Sequence, residues 1–282
     1  MRKYLSLIKF SHTIFAMPFA LIGFFLATKS NEFEWITLLY VVLCMIFGRS
    51  AAMAFNRYID RNIDAANQRT AQVREIPNGS IKANSALIFV IINSLLFIAT
   101  TYLINSLCFA LSPITLLVIL GYSYTKRFTA LCHLVLGLGL ALAPIGAYLA
   151  VSGKFDIVPL LFSAAVLFWV SGFDIIYSLQ DQEFDKEQKL HSIPVLIGTK
   201  NALNLSNLLH FLTFSALSIA GSLGDFSLYY WIGFWIFTAL LVYQHILVKH
   251  NDLSKINLAF FTTNGIASVI FGVFVIADLL IK

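Results

Sequence analysis

The sequence predicts an all-α, polytopic membrane protein: nine transmembrane helices around a central cavity, with the N-terminus cytoplasmic. Three observations carry that expectation. Only 12% of the 282 residues are charged and 59% are hydrophobic, whereas a soluble domain carries roughly 25% charged residues. The apolar residues form continuous runs of spanning length, which excludes a closed β-barrel and leaves helices that satisfy their own backbone. Lys and Arg fall unevenly on alternate connections, which is the mark of an oriented bundle.

Each element follows in order. Residues 1–10 mix Arg2, Lys3 and Lys9 with Leu5, Leu7, Ile8 and Phe10, the pattern of a short interfacial helix. No small-residue cleavage site follows this start, so no removable leader is expected. The spans are read as 12–29, 35–57, 84–104, 107–124, 131–151, 157–179, 201–221, 226–248 and 257–281, each bounded by charge, Pro/Gly or polar residues. The Asn105-Ser106 and Gly221-to-Asp225 connections are short enough to force antiparallel neighbours. The whole chain, 1–282, reads as one domain.

Fifteen of the 19 Lys and Arg residues lie on the side that holds the N-terminus and the connections after spans 2, 4, 6 and 8. That side is therefore cytoplasmic, in an inner (cytoplasmic) membrane protein. The same asymmetry accounts for the net charge of +5, so nucleic acid is not an expected partner, and no obligate protein partner is implied. Cys44, Cys108 and Cys132 have no paired spacing, which argues against a disulfide framework or thiolate metal site.

The chemistry gathers at two cytoplasmic span ends. Asn56, Asp60 and Asp64 are spaced i, i+4, i+8 after span 2, and Asp174, Tyr177, Asp181 and Asp185 form a matching series on span 6. On a helix this spacing stacks carboxylates along one face. Two unpaired carboxylates ~4 Å apart in a medium of intermediate dielectric repel by about 4 kcal/mol. A chain that builds such a cluster twice is expected to hold a cation there. Oxygen ligands suit a hard ion, and Mg2+ is the fit, since it takes one or two carboxylates plus water and phosphate oxygens. Arg57, Arg61, Arg69, Arg74, Lys126 and Arg127 surround the same ends. Acids with such bases point to a metal-bridged polyphosphate. The plain alternative is a solvated acidic helix end; matched positions ringed by bases favour the cation site. Arg61, Lys186, Glu187 and Lys189 read as solvated loop charges, and none of the six histidines shows ligand spacing.

An Ile-Pro loop after each cluster (Ile76-Pro77, Ile193-Pro194) suggests a pseudo-repeat that sets the clusters facing each other. Two charges lie deeper: Arg49 is seven residues inward of Asn56, and Asp174 is seven inward of Asp181. A charge near the bilayer centre costs roughly 2.5–3.5 kcal/mol and needs a partner, so an Arg49–Asp174 contact is expected. It serves either helix packing or the binding of an anionic head group.

Asn56-Arg57-x-x-Asp60-x-x-x-Asp64 resembles the first aspartate-rich motif of the UbiA superfamily of intramembrane prenyltransferases, and Gln180-Asp181-x-x-x-Asp185 resembles the second. The resemblance runs over almost the whole chain, through Ser11–Ala20, Arg49–Phe55, Arg69-Thr70-Ala71, Arg74–Gly79, Tyr122–Thr129, Phe173–Tyr177 and His191–Pro194. Many members have Asp where Arg57 stands, so one possible metal ligand is absent here. The Asn-Arg form is familiar from 4-hydroxybenzoate polyprenyltransferases and from prenyltransferases of the futalosine route to menaquinone. Gln68 stands where those usually have Pro.

The resemblance implies a Mg2+-dependent enzyme. It transfers a polyprenyl group from polyprenyl diphosphate to the ring of a small aromatic acceptor, with 4-hydroxybenzoate expected and a naphthoate-type acceptor as the alternative. Asp60, Asp64, Asp181 and Asp185 are its implied metal ligands, and Asn56 assists. Lys126, Arg69, Arg74 and Arg127 would neutralise the departing diphosphate. Arg49, Tyr122, Tyr177 and Asp174 would line the substrate site, although Tyr122 reads equally as an interfacial anchor. Asp181 or the released diphosphate would take the ring proton. A secondary transporter is the reading from another class, since Arg49 and Asp174 lie within spans. Against it, neither motif helix has the expected Gly/Pro break at its cluster.

Overall fold

The computed structural model describes residues 2–8, 16–250 and 252–281. In chain order the helices are α1 (Arg2–Leu7), α2 (Met17–Thr28), α3 (Trp35–Ile59), α4 (Arg61–Ala66), α5 (Gln68–Ala71), α6 (Ala83–Ile104), α7 (Ser106–Thr125), α8 (Cys132–Ser152), α9 (Ile157–Ser178), α10 (Gln182–Glu187), α11 (Ile193–Leu223), α12 (Leu228–Leu247) and α13 (Asn264–Ile281). A 3-10 turn, Leu179–Asp181, links α9 to α10, and a π-helical turn, Leu258–Thr263, precedes α13. The described residues contain no β-strand.

The protein is an all-helical, multi-pass membrane protein. Among the described residues eight helices are long and apolar enough to cross a membrane: α3, α6, α7, α8, α9, α11, α12 and α13. Helix α2 is apolar but only 12 residues long, and the first part of the expected span 12–29 lies outside the described residues, as do Lys9 and Phe10 of the expected interfacial helix.

Two compact units divide the chain. In the first, built on residues up to 13 and Trp35–Tyr124, α3 packs along α6. Leu7, Ile8, Ala54, Ile81, Ala86 and Val90 form one buried apolar cluster there. Tyr4 stacks on Phe89 at 5.0 Å, and Ser6 donates to Glu75, which ties α1 to the loop after α5.

In the second unit, Ile14–Glu34 and Thr125–Lys282, α9 is the central helix, packed between α8 and α11. Trp169, fully buried, stands among Phe19, Phe173 and Phe237, and its indole N–H donates to Asn264 Oδ1 at 3.0 Å. Along α11 three polar side chains face α9 carbonyls: Ser206 donates to Gly172 at 2.7 Å, His210 Nε2 lies 3.2 Å from Trp169 O, and Thr213 lies 3.4 Å from Ala165 O. As the α11 numbers rise the α9 numbers fall, so the two helices run antiparallel. Such polar contacts hold helices together in a lipid phase, where apolar burial drives association only weakly. Helix α8 comes close to α9 at Gly137, where a Cβ would lie 2.3 Å from Ser171 Oγ and 2.5 Å from Leu167 O.

Helix α11 starts earlier than the expected 201–221. Pro194 sits in its first turn, where its missing N–H costs nothing. The helix is broken once, at Gly198, with φ 78° and ψ 162°, a region open essentially to glycine alone. Gln182 bridges that break: its amide donates to Pro194 O at 3.1 Å and accepts from Thr199 Oγ1 at 2.8 Å.

Candidate active site

The expected single helical stripes are each interrupted at the first aspartate of a pair. Helix α3 ends at Ile59, and Asp60 leads into α4 with φ −86° and ψ 3°. The four-residue spacing nevertheless persists in the backbone, with Asp60 N donating to Asn56 O at 2.9 Å and Asp64 N to Asp60 O at 2.7 Å. In the second cluster α9 stops at Ser178, and the 3-10 turn ends on Asp181 (φ −107°, ψ 7°) before α10 begins. A 3-10 turn winds 120° per residue where an α-helix winds 100°, so Asp181 and Asp185 are re-aimed relative to Asp174 and Tyr177.

In the first unit the structure brings Asn56, Asp60, Asp64 and Arg74 together. Asp60 is 1% exposed and Asp64 3%, so both carboxylates need partners. Asn56 Nδ2 donates to Asp60 Oδ2 at 3.0 Å, and Arg57 Nη1 donates to Asn56 Oδ1 at 3.1 Å. Arg74 and Asp64 form an ion pair. The geometry behind that pair is local: Thr70 Oγ1 donates to Asp64 O at 2.8 Å, and Asn67 Oδ1 accepts from Arg69 N at 2.9 Å. These two bonds fold the chain back through α4 and α5 and deliver Arg74 to Asp64. Arg69 itself is exposed and Tyr122 half-buried. Arg49 is half-buried on α3, with a buried Nε that has no hydrogen-bond partner; Arg57 Nε is in the same state.

In the second unit Asp181, Asp185, Tyr177, Lys126 and Arg127 are half-buried. Lys126 and Asp181 both act electrostatically on Asp185, and Lys126 O accepts from His191 N at 2.7 Å. Asp174 has a partner within its own unit that the sequence does not signal: His133, whose Nδ1 lies 2.7 Å from Asp174 Oδ2. The reason is local: the close α8–α9 approach sets a buried imidazole beside the carboxylate. His133 also accepts from Ile193 N at Nε2, 3.3 Å. Sequence reading gave His133 no role, because a lone histidine on an apolar helix carries no spacing signal.

Among the described residues no group of three or more His, Cys, Asp or Glu side chains forms a metal cage. The donors come as carboxylate pairs. A pair suits an ion that completes its octahedron with water and phosphate oxygens, which is the habit of Mg2+.

The sequence profile described as the UbiA prenyltransferase family matches residues 16–266. A protein of Tolumonas auensis named 4-hydroxybenzoate octaprenyltransferase is 30% identical over 223 residues, covering 79% of this chain and 77% of that one. A protein of the same name from Aeromonas hydrophila is 31% identical over 236 residues, covering 83% and 81%. Among solved structures, the apo form of a UbiA homologue from Aeropyrum pernix K1 superposes with TM-score 0.86 at 29% identity, covering 95% of this chain and 98% of that one. A UbiA homologue from Archaeoglobus fulgidus, solved bound to DMAPP and Mg2+, shares the fold with TM-score 0.77 at 22% identity, covering 99% and 100%.

Proposed function

This chain belongs to the UbiA prenyltransferase family, and from that premise we propose that it transfers a polyprenyl group from polyprenyl diphosphate to the ring of 4-hydroxybenzoate, in quinone biosynthesis at the inner (cytoplasmic) membrane. The observation that carries the proposal is the first cluster. Two almost fully buried carboxylates, Asp60 and Asp64, stand one turn apart with Asn56 and Arg74 already bonded to them. The relatives named 4-hydroxybenzoate octaprenyltransferase support the choice of acceptor.

Asp60, Asp64, Asp181 and Asp185 are the residues we assign to hold Mg2+ against the diphosphate, and Asn56 would orient Asp60. When bound, Mg2+ supplies Lewis-acid neutralisation of phosphate oxygens. Arg69, Arg74, Lys126 and Arg127 place fixed positive charge where the leaving group gains negative charge, which is electrostatic stabilisation of the transition state. The allylic C–O bond breaks, the new C–C bond forms to the ring, and one ring proton leaves. Asp181 or the released diphosphate takes that proton. The apolar helix walls keep water from the allylic cation. Arg49, Tyr122, Tyr177 and Asp174 are assigned to position the substrates.

A naphthoate-type acceptor is the second reading, because the Asn56-Arg57 form of the first motif is compatible with both acceptors. The transporter alternative gives way to the family membership. Incubation of the purified protein with labelled geranyl diphosphate and 4-hydroxybenzoate should give a Mg2+-dependent prenylated product. Full turnover by Asp60→Ala or Asp181→Ala would sink the assigned mechanism. Product from a naphthoate acceptor alone would replace the acceptor.

A further inference from the structure

We propose that His133 is a positioning residue that clamps Asp174, and that Asp174 then accepts a hydrogen bond from the hydroxyl of the aromatic acceptor. This rests on the assignment of Asp174 to substrate positioning in the proposed function.

The hydrogen-bond partners fix the tautomer. Ile193 N is a backbone amide and can only donate, so the His133 Nε2 facing it at 3.3 Å accepts. The ring proton therefore sits on Nδ1 and is donated to Asp174 Oδ2, 2.7 Å away. His133 is 3% exposed, with both ring nitrogens engaged. It has no nitrogen left for a substrate and cannot shuttle a proton through Nε2. The ring joins three elements: α8, which carries it; α9, through Asp174; and the first turn of α11, through Ile193. Ser171 on α9 donates to His133 O at 3.1 Å, and the bare Gly137 one turn along lets the two helices approach.

Asp174 is held on one side only. Oδ2 is taken, 22% of the side chain remains uncovered, and among the described residues Oδ1 has no hydrogen-bond partner. A carboxylate oxygen accepts hydrogen bonds. Of the two polar ends of a hydroxybenzoate, the hydroxyl donates, whereas the carboxylate would be repelled. A hydrogen bond from that hydroxyl to an acceptor oxygen pushes electron density into the ring, where the prenyl cation attacks.

The test uses purified full-length protein in lipid nanodiscs. Nitrogen NMR of histidine-labelled protein, with the His133→Asn spectrum subtracted, should show a neutral ring protonated at Nδ1. A ring protonated at Nε2, or at both nitrogens, overturns the clamp. In kinetics, His133→Phe should raise the KM for 4-hydroxybenzoate about tenfold, the scale of one lost hydrogen bond to a charged group. The KM for geranyl diphosphate should stay within about twofold. His133→Asn keeps a donor near the Nδ1 position and should recover most of the loss. Equal rises in both KM values, or no recovery with Asn, mean His133 is structural only. A wild-type protein that does not prenylate 4-hydroxybenzoate counts against the proposed acceptor, while the NMR readout still decides the clamp.

Discussion

Asn56 holds Asp60: its amide nitrogen donates to Asp60 Oδ2 at 3.0 Å while its amide oxygen accepts from Arg57. The guanidinium thus fixes which way the amide faces, and the amide fixes the carboxylate. Arg57 stands where related motifs carry a further aspartate, and in this chain it works as the anchor of a two-step relay.

Restoring an acid at that position should harm the site. Arg57→Asp releases the Asn56 oxygen and adds a negative charge beside Asp60 and Asp64, both already buried. The affinity for geranyl diphosphate with Mg2+, measured by calorimetry, should fall roughly tenfold, the scale of one charge-assisted hydrogen bond. Binding as tight as wild type would show that the relay has no part in holding the diphosphate.

Arg74→Ala leaves the Asp64 carboxylate buried without its counter-ion. Losing one partner of a fully buried pair costs about 3–5 kcal/mol. The Arg74 side chain is 21% exposed, so about 2 kcal/mol is expected, read as a lower midpoint of thermal unfolding in detergent. Millimolar Mg2+ should narrow that deficit more than it stabilises wild type, because a cation bound at Asp64 replaces the lost charge. An equal shift in both proteins would remove Asp64 from the cation site.

Asp278 on α13 caps α12 from outside that helix. Its carboxylate accepts from Ser227 N at 2.9 Å, from Ser227 Oγ and from Tyr230 N at 3.1 Å, and it is 1% exposed. Asp278→Ala strips the first turn of α12 of these acceptors and should cost about 2 kcal/mol. Unfolding would then begin in the α12–α13 pair, detected as faster amide exchange there. Unchanged exchange in that pair would refute the capping role.

Gly198→Ala meets no steric neighbour, so any effect comes from the backbone. At φ 78° and ψ 162° a Cβ costs of order 1–3 kcal/mol. The midpoint of unfolding should drop accordingly, and Gln182→Ala, which removes the bridge across the same break, should add less than its own effect in the double variant. Strict additivity would mean that the bridge and the break are independent.

How far the sequence reached can be judged from single residues. The apolar runs gave helices at nearly their observed bounds, as with 157–179 against Ile157–Ser178, because a chain in lipid must satisfy each backbone group within its own helix. The start of α11 was placed too late: Gly198-Thr199-Lys200 reads as a boundary, yet the helix begins before it, at Ile193. The aspartates were found by spacing, and Asp60 and Asp64 do stand one turn apart. The Arg74–Asp64 pair was hidden because ten residues of turns and short helices separate its members. His133 and Asp174 are 41 apart on different helices. Neither residue type nor period links them, and only the close approach at Gly137 makes them neighbours.

The reach of Asp278 also sets an order of assembly. Ser227 and its cap lie 51 residues apart, and a ribosome adds about 5–20 residues each second. For several seconds during synthesis α12 exists with the amides of its opening turn unclaimed, and only the arrival of α13 supplies them. Asp278 of α13 thus completes the opening turn of a helix made well before it, and that turn is finished only once the two helices have met.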